Sequence, residues 1–168
     1  MSEFSRIYGR RTVPAAPQHL VASEEERAAL AKRFDLVAVN ALEATVTLTV
    51  DGPNVHANGR ISAAIVQPCA VSGEDIAVAI DEPVELRFVP AVTDIVPDSE
   101  IELEESDLDD IEMDGEQFDL GEAIAQSLGL AIDPYLTGPQ ADEARAKAGI
   151  VGEGEDGPFA ALKGLLKK

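Results

Sequence analysis

A chain of 168 residues with a net charge of −19 fits one folded domain with tails, and its field repels phosphate backbones and anionic membrane surfaces alike. Hydrophobic residues make up 45% of the chain, but there is no tryptophan and aromatics are only 4%, so the core must be aliphatic. The single cysteine, Cys69, forms no internal disulfide and builds no thiolate metal site by itself, which suits a reducing compartment. The basic N-terminal stretch has no apolar run behind it, and no segment approaches the roughly 18 apolar residues of a membrane span. A cytoplasmic protein with no membrane partner is expected.

Residues 1–22 read as an N-terminal arm carrying Arg6, Arg10 and Arg11, then Pro14 and Pro17. SEEERAALAKRF follows. Ser23 with Glu26 three residues on is a capping box, in which hydroxyl and carboxylate each satisfy a free backbone donor. Leu30 and Phe34 then share one helical face. LEATVTLTV alternates strictly: Leu42, Ala44, Val46, Leu48 and Val50 point one way, while Glu43 and three threonines point the other. That is a strand with one wet face. DGPN is a turn, and VHANGRISAAIV alternates again through Val55, Ala57, Ile61, Ala63 and Ile65, so the pair predicts a β-hairpin. A third strand runs from Ile76 to Val89, interrupted by Pro83, which suits an edge or a bulge.

The stretch from Ser99 to Ala123 is dense in carboxylates and has no positive side chain. It offers no sustained apolar period before Phe118, so most of it reads as a solvated loop. Asp119 then starts a second helix with Glu122 three residues on and a buried stripe of Leu120, Ile124 and Leu128. Asp133–Pro134 ends that helix. Beyond lie a small helix candidate, ADEARAKAG, a GEGEDG tether and the amphipathic PFAALKGLLKK. Residues 23–135 therefore predict a single α+β domain, an antiparallel sheet that can curl toward a barrel with two packed helices and an acidic loop. Residues 136–168 predict a flexible tail. Its Phe159 and Leu162 either pack back on the domain or dock on a partner.

Several candidate sites compete with plainer readings. Asp110, Glu112, Asp114 and Gly115 begin like a calcium loop. The pattern then fails, because Gln117 stands where an apolar residue belongs and Gly121 where a bidentate glutamate belongs. A charged loop, or a docking surface for a cationic partner, fits better. Cys69 after Pro68 reads as a buried structural thiol. His19 and His56 have no companion at ligand spacing and read as surface residues. No nucleophile elbow and no glycine-rich phosphate loop occurs. Neither a catalytic residue, a metal, a cofactor nor a small-molecule substrate is expected.

SEEERAALAKRFDL, the strand pair, VQPCAV, VELRFVP, an acidic stretch and FDLGEAIAQSLGLAIDPY occur in that order. The order and spacing resemble the YceD family in its alphaproteobacterial form, over most of the chain. The resemblance implies a role in accumulation of large-subunit ribosomal RNA and supplies no catalytic residues. Its family-like positions are Gln67, Cys69, Asp119, Leu120, Glu122 and Pro134. Some relatives carry further cysteines that look like metal ligands, a set this chain lacks. The segment after VQPCAV, here Ser72 to Asp75, departs from the usual pattern, as do Leu136 and Thr137 after Tyr135.

Charge and resemblance together predict a non-enzymatic ribosome-biogenesis factor. The expected partner is a basic ribosomal or ribosome-assembly protein, with any RNA contact indirect. The expected binding residues are Glu102, Glu104, Glu105, Asp107, Asp109 and Asp110, with Phe159 and Leu162 of the tail. Alternatives are an acidic inhibitor or adaptor that mimics nucleic acid, and a metal-dependent RNA-processing enzyme.

Overall fold

A computed structural model describes residues 2–91 and 110–149. The chain divides into two compact units, Met1–Gln67 with Ala77–Ile132, and Pro68–Ile76 with Asp133–Lys168. The described residues form an α+β structure of seven strands and three α-helices.

In the larger unit, the alternating segments fold as a long antiparallel hairpin. Strand β3 covers Ala38–Asp51 and β4 covers Asn54–Pro68. Their register closes on Asp51 opposite Asn54. Gly52 makes the turn with φ of +56°, a conformation that costs glycine little. Leu42, Ala44, Val46 and Leu48 of β3 and all five inward positions of β4 are buried. Val50 departs from the expected pattern: it is 45% exposed, although Val55, opposite it in register, is fully buried.

Strand β2, Gln18–Val21, pairs antiparallel with β3. Strand β5, Asp75–Pro90, lies next to β4, and β6, Asp110–Met113, closes the order β2-β3-β4-β5-β6. The β5–β6 pairing is parallel and covers only Arg87–Pro90 of β5. Pro83 lies outside that register, where its missing N–H breaks no β5–β6 bond. Strand β6 lies within the stretch read mostly as a loop before Phe118, of which residues 99–109 lie outside the described residues. Ile111 and Met113 alternate with two acidic residues, and Met113 is buried. Four residues give too short a period to stand out in so charged a stretch, and the pairing that fixes them comes from β5.

The N-terminal residues read as an arm are built into this unit. Phe4 is buried, and β1, Ile7–Gly9, pairs antiparallel with β7, Gln117–Asp119. Tyr8 lies opposite Phe118 in register and stacks on it, with ring centroids 5.9 Å apart. Helix α1, Glu24–Arg33, has the capping box expected from Ser23 and Glu26. Helix α2, Leu120–Ala131, is capped by Asp119 and buries Leu120, Ile124 and Leu128. In the smaller unit, α3 covers Ala141–Lys147. No helix among the described residues is long and apolar enough to cross a membrane.

Candidate functional site

The start of α2 is a clamp. The Asp119 carboxylate caps the helix by accepting the Glu122 N–H at 3.1 Å. It also accepts the Arg6 N–H at 2.7 Å and the Ser5 hydroxyl at 2.5 Å. The Leu120 N–H donates to the Arg6 carbonyl at 3.0 Å. The N-terminal backbone thus crosses directly over Gly121, where a Cβ would lie 2.5 Å from the Phe4 carbonyl oxygen. Glu122 accepts both terminal nitrogens of Arg33, at 2.9 and 2.7 Å, and the Ser2 hydroxyl at 2.6 Å. The Arg33 guanidinium holds the Glu122 carboxyl down at about 2, with smaller help from Ser2 and Gln126, against the opposing effect of burial. Hydrogen bonding to Arg6 likewise lowers Glu26 to about 2. These residues tie the N-terminal segment, α1 and α2 together, and every polar group of the clamp already has a partner.

A second surface runs along α2 and borders the clamp, whose Asp119 and Glu122 line its smaller hollow. One hollow of about 750 Å³ lies between α2 and the outer edge of β5, with Glu82, Val84, Glu85 and Leu86 on the strand side and Gln126 and Leu130 on the helix side. A second, of about 320 Å³, shares Ile111, Ala123 and Gln126 with the first and adds Glu112 and Asp114. Glu82, Glu85, Glu112 and Asp114 make no ion pair with a cationic side chain among the described residues. The groove therefore has an apolar floor and an unbalanced acidic rim.

Of the expected binding residues, Glu102, Glu104, Glu105, Asp107, Asp109, Phe159 and Leu162 lie outside the described residues. Asp110 is described, in β6, where it is paired with the Arg87 guanidinium through two hydrogen bonds. Its charge is balanced inside the sheet. The calcium-like set is not gathered around a point: Asp110 and Glu112 lie in a strand and Asp114 in the turn after it. No described group of three or more His, Cys, Asp or Glu side chains is arranged to hold a metal. Glu82 and Glu85 escaped the sequence reading because they flank Pro83 in a segment read only as a strand. Their one available signal was that neither has a basic neighbour within the strand before Arg87.

The model of the family described as large ribosomal RNA subunit accumulation protein YceD matches residues 57–166. The chain belongs to the YceD family. No curated protein and no solved structure matches it. The family's description places the chain in ribosome biogenesis.

The YceD-like positions fall into both units. Asp119, Leu120 and Glu122 form the clamp just described. Gln67 is a buried polar side chain at 5% exposure, near the end of β4. Pro134 is exposed just after α2. Cys69 is buried in the smaller unit. Its Sγ accepts N–H groups from Val71 at 3.4 Å, Ser72 at 3.3 Å and Gly138 at 3.3 Å. Hydrogen bonding from Ser72 and then Gly138 lowers the thiol to about 6. Glu74 reinforces the same junction by accepting the Ser72 hydroxyl at 3.2 Å and the Gln140 N–H at 2.8 Å. Burial and backbone donors make Cys69 an anchor that fastens Pro68–Ile76 to the chain after α2. His19 and His56 are surface residues near Glu43 and Asp51, at 3.8 and 3.9 Å.

Proposed function

We propose that this protein acts in ribosome biogenesis without catalysing a reaction, by holding a basic ribosomal or ribosome-assembly protein against its acidic surface. Contact with ribosomal RNA is then indirect. The observation that carries this reading is how the positive side chains are used. Every arginine except Arg27 is paired with a carboxylate of the same chain, and Arg27 donates to the Ala22 carbonyl. Direct binding to RNA needs free Lys and Arg to neutralise phosphates. In this chain the arginines are engaged internally, and the unbalanced charges are carboxylates, which attract cations and steer their approach.

The test compares affinities for basic ribosomal proteins and for ribosomal RNA fragments at one salt concentration, with a nuclease-treated pull-down alongside. Basic proteins retained after nuclease treatment, with weak binding of free RNA, are the expected outcome. Tight, nuclease-sensitive binding to RNA would overturn the reading.

A further inference from the structure

We infer that the groove between β5 and α2 receives an extended, basic segment of the partner, which adds as a strand to the part of the outer edge of β5 that no strand among the described residues covers. The inference rests on the reading above, that the partner is a basic protein, and it names the site and the form in which that partner is held.

The edge comes first. Strand β5 has 16 residues, and β6 covers only the last four of them. Upstream, Glu82–Leu86 form one wall of the larger hollow without a β6 partner. Five extended residues span about 17 Å. An uncovered edge presents main-chain donors and acceptors to any strand laid beside it, and natural proteins rarely leave one open without a device against self-pairing. Pro83 is such a device, since it removes one donor and makes two identical edges a poor match.

The opposite wall, on α2, sets apolar side chains beside the polar Gln126 and Ser127. Leu130 is 89% exposed on α2, and Ala131 lies beside it in the lining. A strand added here would turn alternate side chains toward opposite faces. One set meets Leu130, Ala131 and Ile111, which calls for small or branched apolar residues. The other set meets Glu85 and, farther along, Glu112, which calls for Lys or Arg. The lining contains no cationic side chain, so the groove offers nothing to a phosphate backbone or an anionic lipid.

The test uses the full-length chain and two fluorescein-labelled decapeptides of equal composition, one alternating Lys and Val, the other five Lys followed by five Val. Anisotropy titrations at low and physiological salt give affinities, and hydrogen exchange follows the amides of Val84, Glu85 and Leu86. The alternating peptide is expected to bind more tightly than the block peptide and to slow those amides. Glu85→Lys with Glu112→Lys should weaken it about tenfold, the effect of roughly two lost surface charge pairs, and separately Leu130→Arg, which sets a like charge against the basic peptide, should weaken it as well. Reversing Glu24 and Glu25 on α1 should leave it unchanged, and thermal melts establish that each variant is folded. Milder Glu85→Gln with Glu112→Gln replaces any reversal that fails to fold. Equal binding of both peptides, or affinity unaltered by the groove variants, would overturn the inference. So would amides of Val84–Leu86 that are already slow in the free protein, because the edge would then be occupied by this chain itself. If basic ribosomal proteins still bind in those cases, only the site is wrong. If they too fail to bind, the proposed function falls with it.

Discussion

Glu122→Gln isolates the clamp that joins α1 to α2. The carboxylate loses its charge while the shape of the side chain is kept, so the Ser2 hydroxyl and one Arg33 nitrogen retain an acceptor. Arg33 also keeps Glu3, at 2.9 Å. The fall of the Glu122 carboxyl from 4.5 to about 2 corresponds to about 3 kcal/mol at full strength, at about 1.4 kcal/mol per pH unit. The Glu122 side chain is 24% exposed and Arg33 29%, so solvent screening reduces this to about 1–2 kcal/mol. The folded value is depressed, so the stabilisation is fully present above the unfolded value of 4.5 and disappears as pH falls toward 2. Urea unfolding of parent and variant at pH 7, 5, 4 and 3 should give a constant gap at the two higher values. The gap should narrow at pH 4 and more so at pH 3. A full-sized gap at pH 3, or none at pH 7, would refute the charge-based account of the clamp.

Four further changes probe other parts of the structure. Gly121→Ala should cost about 1–3 kcal/mol by overpacking and make residues 2–9 sensitive to protease, because the new methyl meets backbone that cannot swing aside; an unchanged melt would mean that the N-terminal segment does not lie over α2. Cys69→Ser should speed amide exchange at Val71, Ser72 and Gly138, and more at pH 9 than at pH 6. The thiol's folded value of about 6 lies below its ordinary 9, so its contribution is complete only above 9 and fades as pH falls through 6. Replacing Glu102, Glu104, Glu105, Asp107 and Asp109 with amides should leave the melt unchanged or raise it, and slow capture of a basic ribosomal protein at low salt in stopped flow. Asp110→Asn should instead lower stability by about 1–3 kcal/mol, since it strips Arg87 of a partly buried charged partner.

The sequence carried the elements whose signals are local. Ser23 and Glu26 sit three apart and form the box their spacing predicts. The β3–β4 hairpin follows from alternation and a glycine-containing turn, and α2 from Asp119 and a stripe at helical spacing. What stayed hidden depends on partners distant in the chain. Ile7–Gly9 becomes a strand through residues 117–119, and Asp110–Met113 through residues 87–90. Neither has length enough for its own period to show. The site divides in the same way. Asp119 and Glu122 were readable as capping residues, but their grip on Ser5, Arg6 and Arg33 was not, because those residues arrive through the tertiary fold. The groove is a property of a strand edge and a helix face brought together, and Leu130 looked like one more apolar residue of a helix.

Like-charge repulsion in a chain of net charge −19 works against compaction. The placement of the arginines shows how this fold meets that cost. Arg6–Glu26 joins the N-terminal segment to α1, Arg33–Glu122 joins α1 to α2, and Arg10 and Arg11 meet Glu116 in the turn before β7. Arg60–Asp81 and Arg87–Asp110 join neighbouring strands. These arginines stand at junctions between elements, where they have structural work, and Glu82, Glu85, Glu112 and Asp114 are left exposed and without an ion pair among the described residues, along β5, β6 and the turn that follows. Salt acts on these two populations unequally. Half-buried pairs such as Arg87–Asp110 are shielded from mobile ions, whereas exposed carboxylates are screened beyond about 8 Å at physiological ionic strength. Added salt also relieves the mutual repulsion of the surplus. The fold should therefore hold or gain stability over a salt range in which attraction of a cationic partner collapses. Under the proposed function, that separation would let one chain be stable in itself and still release a basic partner when a competing polyanion, such as ribosomal RNA, offers the partner denser negative charge.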